Sequence, residues 1–198
     1  TLVLLGLLLV SLAVDTTFVD VFAVLTGLSE NSTVEFIVRE VRLPVVGQAL
    51  CAGIAFALSG TLLQRLLGNP LAAPELIGVS AGASLTAVAG IVLFSWSGFA
   101  ISGAALVGAI GGAALIYALA WRDGIDGYRL ILVGIGVSEL MLSLVGYLVA
   151  RAEIHDAQAA MHWLIGSVGQ SGTGELQALI AALAVLVPCA LLLHRWLR

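Results

Sequence analysis

The chain has 198 residues, of which 61% are hydrophobic and 10% charged, with a formal net charge of −4. Water-soluble domains carry about 25% charged residues, so this chain has too little charge to cover an aqueous surface and belongs in a bilayer. All eight basic residues are arginine, and a chain without lysine offers neither a phosphate-loop lysine nor a Schiff-base lysine.

A helix that crosses about 30 Å of hydrocarbon needs about 20 apolar residues. Six such runs follow one another. The first, 1–14, reads as a truncated span because it starts in mid-run. An acidic connection follows, holding Asp15, Asp20, Glu30, Glu35 and Glu40, and the apolar spacing over 18–25 predicts a short amphipathic surface helix. The second span covers 45–67 and is preceded by Arg42, Leu43 and Pro44. A residue before proline avoids the helical region, which predicts an extended approach that holds the Arg42 guanidinium near the membrane face. There Arg42 is either a snorkelling interfacial cation or a fork for carboxylates on a docking partner. Gln64, near the far end of this span, either bridges helices or faces a central pathway.

Asn69-Pro70 and Pro74 then predict a sharp, geometry-setting turn. In the third span, 78–94, small residues recur every four positions at Gly78, Gly82, Thr86 and Gly90, and Gly108 and Gly112 repeat the pattern in the fourth, 99–121. Faces without bulk let membrane helices approach closely. A short loop, 122–129, carries Asp126, Gly127 and Tyr128, with Gly127 free to flex. The fifth span, 130–150, contains Glu139, an acid that must face the bundle or a wet cavity rather than lipid. Beyond it, 151–174 holds Glu153, His155, Asp156 and His162. On a helix the two histidines stand about 10 Å apart along the axis, too far to share one ion. The sixth span, 176–194, tolerates Pro188 because neighbouring helices can satisfy the freed carbonyl. Cys51 and Cys189 lie in apolar runs and read as small hydrophobes, and no residue set calls for a metal or cofactor.

If the spans alternate, Arg65, Arg122, Arg129, Arg195 and Arg198 share one side and Arg39, Arg42 and Arg151 the other. The positive-inside rule places the first group in the cytoplasm. The chain then reads as an all-α polytopic membrane protein. Gly78 to Gly82 also satisfies G-x-S-x-G, so an intramembrane serine protease using Ser80 and His194 is a rival. A nucleophile elbow needs a strand-to-helix turn, whereas Ser80 opens an apolar helix. An ion-coupled secondary transporter is disfavoured by the scarcity of buried charge pairs.

R-L-P at 42–44, A-L-S-G-T-L-L-Q at 57–64, N-P-L-A at 69–72, G-V-S-A-G-A at 78–83, L-I-L-V-G-I-G-V at 130–137 and W-L-I-G-S at 163–167 together resemble the permease family of bacterial binding-protein-dependent importers for ferric siderophores, haem and cobalamin. The resemblance implies six transmembrane helices corresponding to the N-terminal part of a roughly ten-helix permease, with 1–198 as a partial transmembrane domain and the ATPase-coupling loop beyond Arg198. It implies a transport subunit in the bacterial inner membrane, not an enzyme. Such a subunit passes ferric siderophore, or alternatively cobalamin or haem, from a periplasmic or lipoprotein binding protein to the cytoplasm. Its partners would be that binding protein, two separate ATPase subunits, and a second permease subunit or fused half, with no nucleic acid. The resemblance assigns docking to Arg42, a cytoplasmic gate to Asp126, Gly127 and Tyr128, and a short helix ending at 163–167 to the outer vestibule. Where relatives carry a second docking arginine, this chain has Val45. Where they carry aspartate after N-P-L-A, it has Ala73.

Overall fold

Pro44 has no main-chain N–H to give, and the helix around it is built to do without one. The computed structural model describes residues 32–70, 72–74, 78–122, 124, 126–166 and 173–196. The expected span 1–14 and surface helix 18–25 lie outside them. A short helix α1, Ser32–Phe36, widens into a π turn, Ile37–Arg42, which leads straight into α2, Leu43–Leu66. Leu43 has φ −60° and ψ −43°, and its N–H donates to the carbonyl of Val38, five residues back. The expected extended approach is therefore replaced by continuous helix. Widening the turn gives room to the proline ring, which in a regular α-helix clashes with the carbonyl four residues earlier.

The remaining helices among the described residues are α3, Val79–Phe94; α4, Phe99–Ala120; α5, Gly127–Arg151; α6, Ile154–Ile165; and α7, Thr173–Trp196, which continues through Pro188. There is no strand among the described residues. The helical stretch Ile37–Leu66, α4, α5 and the Thr173–Leu192 part of α7 are each long and apolar enough to cross a membrane. The helix α3 is apolar but has 16 residues. At 1.5 Å per residue that is about 24 Å, short of the roughly 30 Å of a bilayer core.

Two compact units divide within α2, one comprising 1–58 with 167–198 and the other 59–166. In the first, the Leu176 side chain of α7 lies 3.0 Å from where a Cβ on Gly47 of α2 would stand. In the second, α3 is the central element, contacting α4, α5 and α6. Its small residues form one side of an antiparallel ladder. Gly78 stands against Gly112, Gly82 against Gly108, and Thr86 against Gly108 and Ala104. The Thr86 hydroxyl donates across the pair to the Ala104 carbonyl at 2.8 Å, with the Gly82 and Ala83 carbonyls also in reach. Close backbone approach and an interhelical hydrogen bond are the terms that hold helices together where lipid cancels the hydrophobic drive.

Apolar clusters close the two ends of this unit. Val88, Ile91, Val145 and Ala160 join α3, α5 and α6 at one end, and Ile116, Ala120 and Leu130 join α4 and α5 at the other, with Leu67 packed on them. Between α3 and α4 the chain turns in four residues, with Ser95 at φ 52° and the Trp96 ring folded over Gly90 and stacked on Phe94 at 5.2 Å.

Candidate functional site

The expected gate residues lie at the start of a helix instead of in a flexible loop. Asp126 is the N-cap of α5, and its Oδ1 accepts from the main-chain N–H groups of Tyr128 at 2.8 Å and Arg129 at 3.3 Å. An aspartate there satisfies donors that the first turn leaves open and adds negative charge at the positive end of the helix dipole. Gly127 is already helical, so the flexing expected of it gives way to a capped first turn. Tyr128 projects outward, 77% exposed.

Glu139 stands eleven positions after Tyr128. At 3.6 residues per turn this is close to three whole turns, so the two side chains leave α5 on the same face, about 16 Å apart along the axis. That face is exposed at Leu132 and Ile135, and Glu139 is exposed too. The opposite side carries Leu130, Gly134, Ser138, Met141 and Val145, all buried. Glu139 thus points away from the packed interior of its own unit, and its carbonyl accepts the Ser143 hydroxyl at 2.7 Å. Sequence reasoning misses Ser138, whose Oγ is buried without a partner among the described residues and lies beside Gly78. The signal that could have found it is a hydroxyl four residues after Gly134, on the buried stripe.

Arg42, the last residue of the π turn, is half-buried. One turn earlier Arg39 pairs with Glu35 at 3.3 Å, both side chains about half exposed. Acid and base four residues apart on a helix are a pairing signal that the sequence already carries. Gln64 is exposed near the end of α2, and its carbonyl accepts the Asn69 N–H at 3.0 Å. The Asn69 carbonyl in turn accepts the Ala72 N–H at 3.1 Å, and Gly68 takes φ 60°. Asn69 and Pro70 therefore sit in a tight, exposed turn directly after the helix. Arg42 and the α5 residues fall in different units.

Ser80 lies in the first turn of α3 and is exposed, and no strand precedes it among the described residues. The His194 side chain lies outside the described residues. Among those residues no group of three His, Cys, Asp or Glu side chains could hold a metal ion.

The FecCD transport family model matches residues 1–198. The chain is 36% identical over 177 residues to the ferric enterobactin transport system permease protein FepG of Escherichia coli (strain K12), covering 89% of this chain and 53% of that protein. It is 33% identical over 201 residues to the achromobactin transport system permease protein CbrC of Dickeya dadantii (strain 3937), covering 100% and 58%. The cobalamin import system permease protein BtuC of Halobacterium salinarum is 34% identical over 154 residues, covering 77% and 42%. The chain thus spans about half the length of the curated relatives it matches. A solved structure described as a putative metal-chelate type ABC transporter in an inward-facing conformation superposes with TM-score 0.73 at 26% identity, covering 94% of this chain and 61% of its own. With four helices of spanning length among the described residues, the protein is a multi-pass membrane protein, and a match along its whole length shows that it belongs to the FecCD transport family.

Proposed function

We propose that this chain is part of the membrane-spanning permease subunit of an importer that carries metal chelates inward, with ferric siderophore as its cargo. The observation that supports this most is the family match along all 198 residues, over a chain in which four of the described helical stretches are long and apolar enough to span. Relatives named for siderophore transport match at 36% and 33% identity. A second reading, cobalamin as cargo, has the 34% identical cobalamin relative behind it.

In this reading the chain performs no chemistry. A binding protein docks outside through Arg42, whose forked and always charged guanidinium suits carboxylates. Cargo passes along a path lined in part by Glu139 and Gln64, and residues 126–128 of two permease halves close it at the cytoplasmic end. Two ATPase subunits drive the change, and the assembly sits in the bacterial inner membrane. Asn69 and Pro70 set the turn between α2 and α3. The capped first turn of α5 gives Tyr128 a fixed base from which to block or clear the path.

Growth tests this. Deleting the gene in its own organism should abolish growth on at least one defined ferric chelate under iron limitation, and a plasmid copy should restore it. Undiminished growth on every siderophore, with lost use of cobalamin instead, would select the second reading.

A further inference from the structure

We infer that Glu139 makes the cargo path selective for charge, favouring chelates that are neutral or bear a cationic group over polyanionic ones. The inference rests on the importer reading and adds to it the chemical class of the cargo.

Glu139 is the thirteenth of 25 residues in α5, which places it at the middle of a helix long enough to span. It is exposed, while Ser138 beside it is buried. A carboxyl in that position against acyl chains is strongly unfavourable, so the face it occupies is covered by something polar. No described side chain pairs with it, and from Leu130 to Ala150 α5 carries no basic residue. Arg151, at the far end, stacks over Tyr147 at 5.6 Å. A second copy facing this one across a two-fold axis would bring the two Glu139 carboxyls toward each other, and like charges oppose their direct contact. Two halves that meet at the Tyr128 end are therefore held apart at the level of Glu139, where water and cargo fit.

The flanking residues agree. Leu132 and Ile135 lie between Glu139 and Tyr128 on the same face, and Ser143 lies one turn beyond. The wall is thus smooth and apolar with a single charge half way along. An uncompensated acid in a narrow aqueous path sets the sign of ion admitted, as acidic rings do in cation channels. In an aqueous path, with a dielectric of about 80, a unit charge about 6 Å away, one helical turn, shifts a population about threefold, so a univalent cation and anion differ about tenfold there.

Two measurements on the complete transporter test this. The first uses membranes in which Cys51→Ala, Cys189→Ala and replacement of every other cysteine of the transporter leave Ser143→Cys to report on the face. A cationic methanethiosulfonate should label Ser143→Cys about tenfold faster than an anionic one of similar size, and adding Glu139→Gln should bring the two rates together. A site that neither reagent reaches, or equal rates with Glu139 present, overturns the inference. The second is competitive uptake of a ferric trihydroxamate with a free ammonium group against a ferric tris-catecholate. The ratio should favour the trihydroxamate and fall about tenfold in Glu139→Gln. An unchanged ratio with uptake intact overturns the charge selection and leaves the importer reading standing. Thiol labelling as expected, with no chelate carried by the wild type, overturns the importer reading instead and with it the cargo class.

Discussion

Gly82 and Gly108 meet backbone to backbone, and a Cβ built on either would overlap the carbonyl oxygen of the other. A side chain there must push α3 and α4 apart along the ladder that Thr86 and Ala104 complete. Gly82→Leu should therefore cost about 1–3 kcal/mol, the range for overpacking a filled interior. Thermal unfolding of the purified protein in detergent checks it. A Cβ on Gly111 of α4 would meet nothing within 4 Å, so Gly111→Ala should leave the midpoint unchanged or slightly raised. Equal losses in both variants would contradict the ladder.

Asp126→Ala removes the cap from α5. A lost N-cap costs about 1 kcal/mol, and here the loss should be local, because Tyr128 and Arg129 are the donors it frees. Amide exchange read by mass spectrometry should quicken in the peptide that begins α5 and stay constant over 134–145. Asp126→Asn, which keeps a side-chain acceptor, should restore most of the protection.

Arg42→Glu should lower the affinity of the cognate binding protein about tenfold, mostly through slower association that depends on salt. Surface plasmon resonance on the protein in nanodiscs measures it. Unchanged affinity would remove the docking role from Arg42 and shift attention to Arg39, the more exposed of the two cations.

Tyr128→Cys, in a background without Cys51 and Cys189, should form a disulfide between two permease halves of a homodimer, or with the matching cysteine of a fused or unlike half. The yield should differ between nucleotide-free and nucleotide-bound states. Absence of any cross-link in every state would take Tyr128 out of the gate.

Much of the fold is legible in the sequence because membrane helices declare themselves by length and composition. The α3–α4 ladder is readable too, since Gly78, Gly82, Thr86 and Gly90 repeat at the helical period. Three features are not. Proline disfavours helix before it, which predicts an extended Leu43, but a π turn relieves the clash, and widened turns have no plain sequence signature. The apolar run of α5 begins at Leu130, whereas the helix begins at Gly127, because Asp126 carries a capping signal that hydrophobicity does not register. The direction of Glu139 is hidden because α5 is apolar on nearly every side, so only packing against α3 and α4 separates the buried Ser138 face from the exposed one.

Uptake of radioiron chelate by proteoliposomes that hold the complete permease, its ATPase subunits and its binding protein tests the central claim most directly. Accumulation that requires ATP and the binding protein, and that stops in a preparation without the permease, is the expected result. Accumulation of no radioiron chelate, and of no radiocobalt cobalamin in a parallel assay, under conditions where the assembled complex hydrolyses ATP would contradict the importer reading.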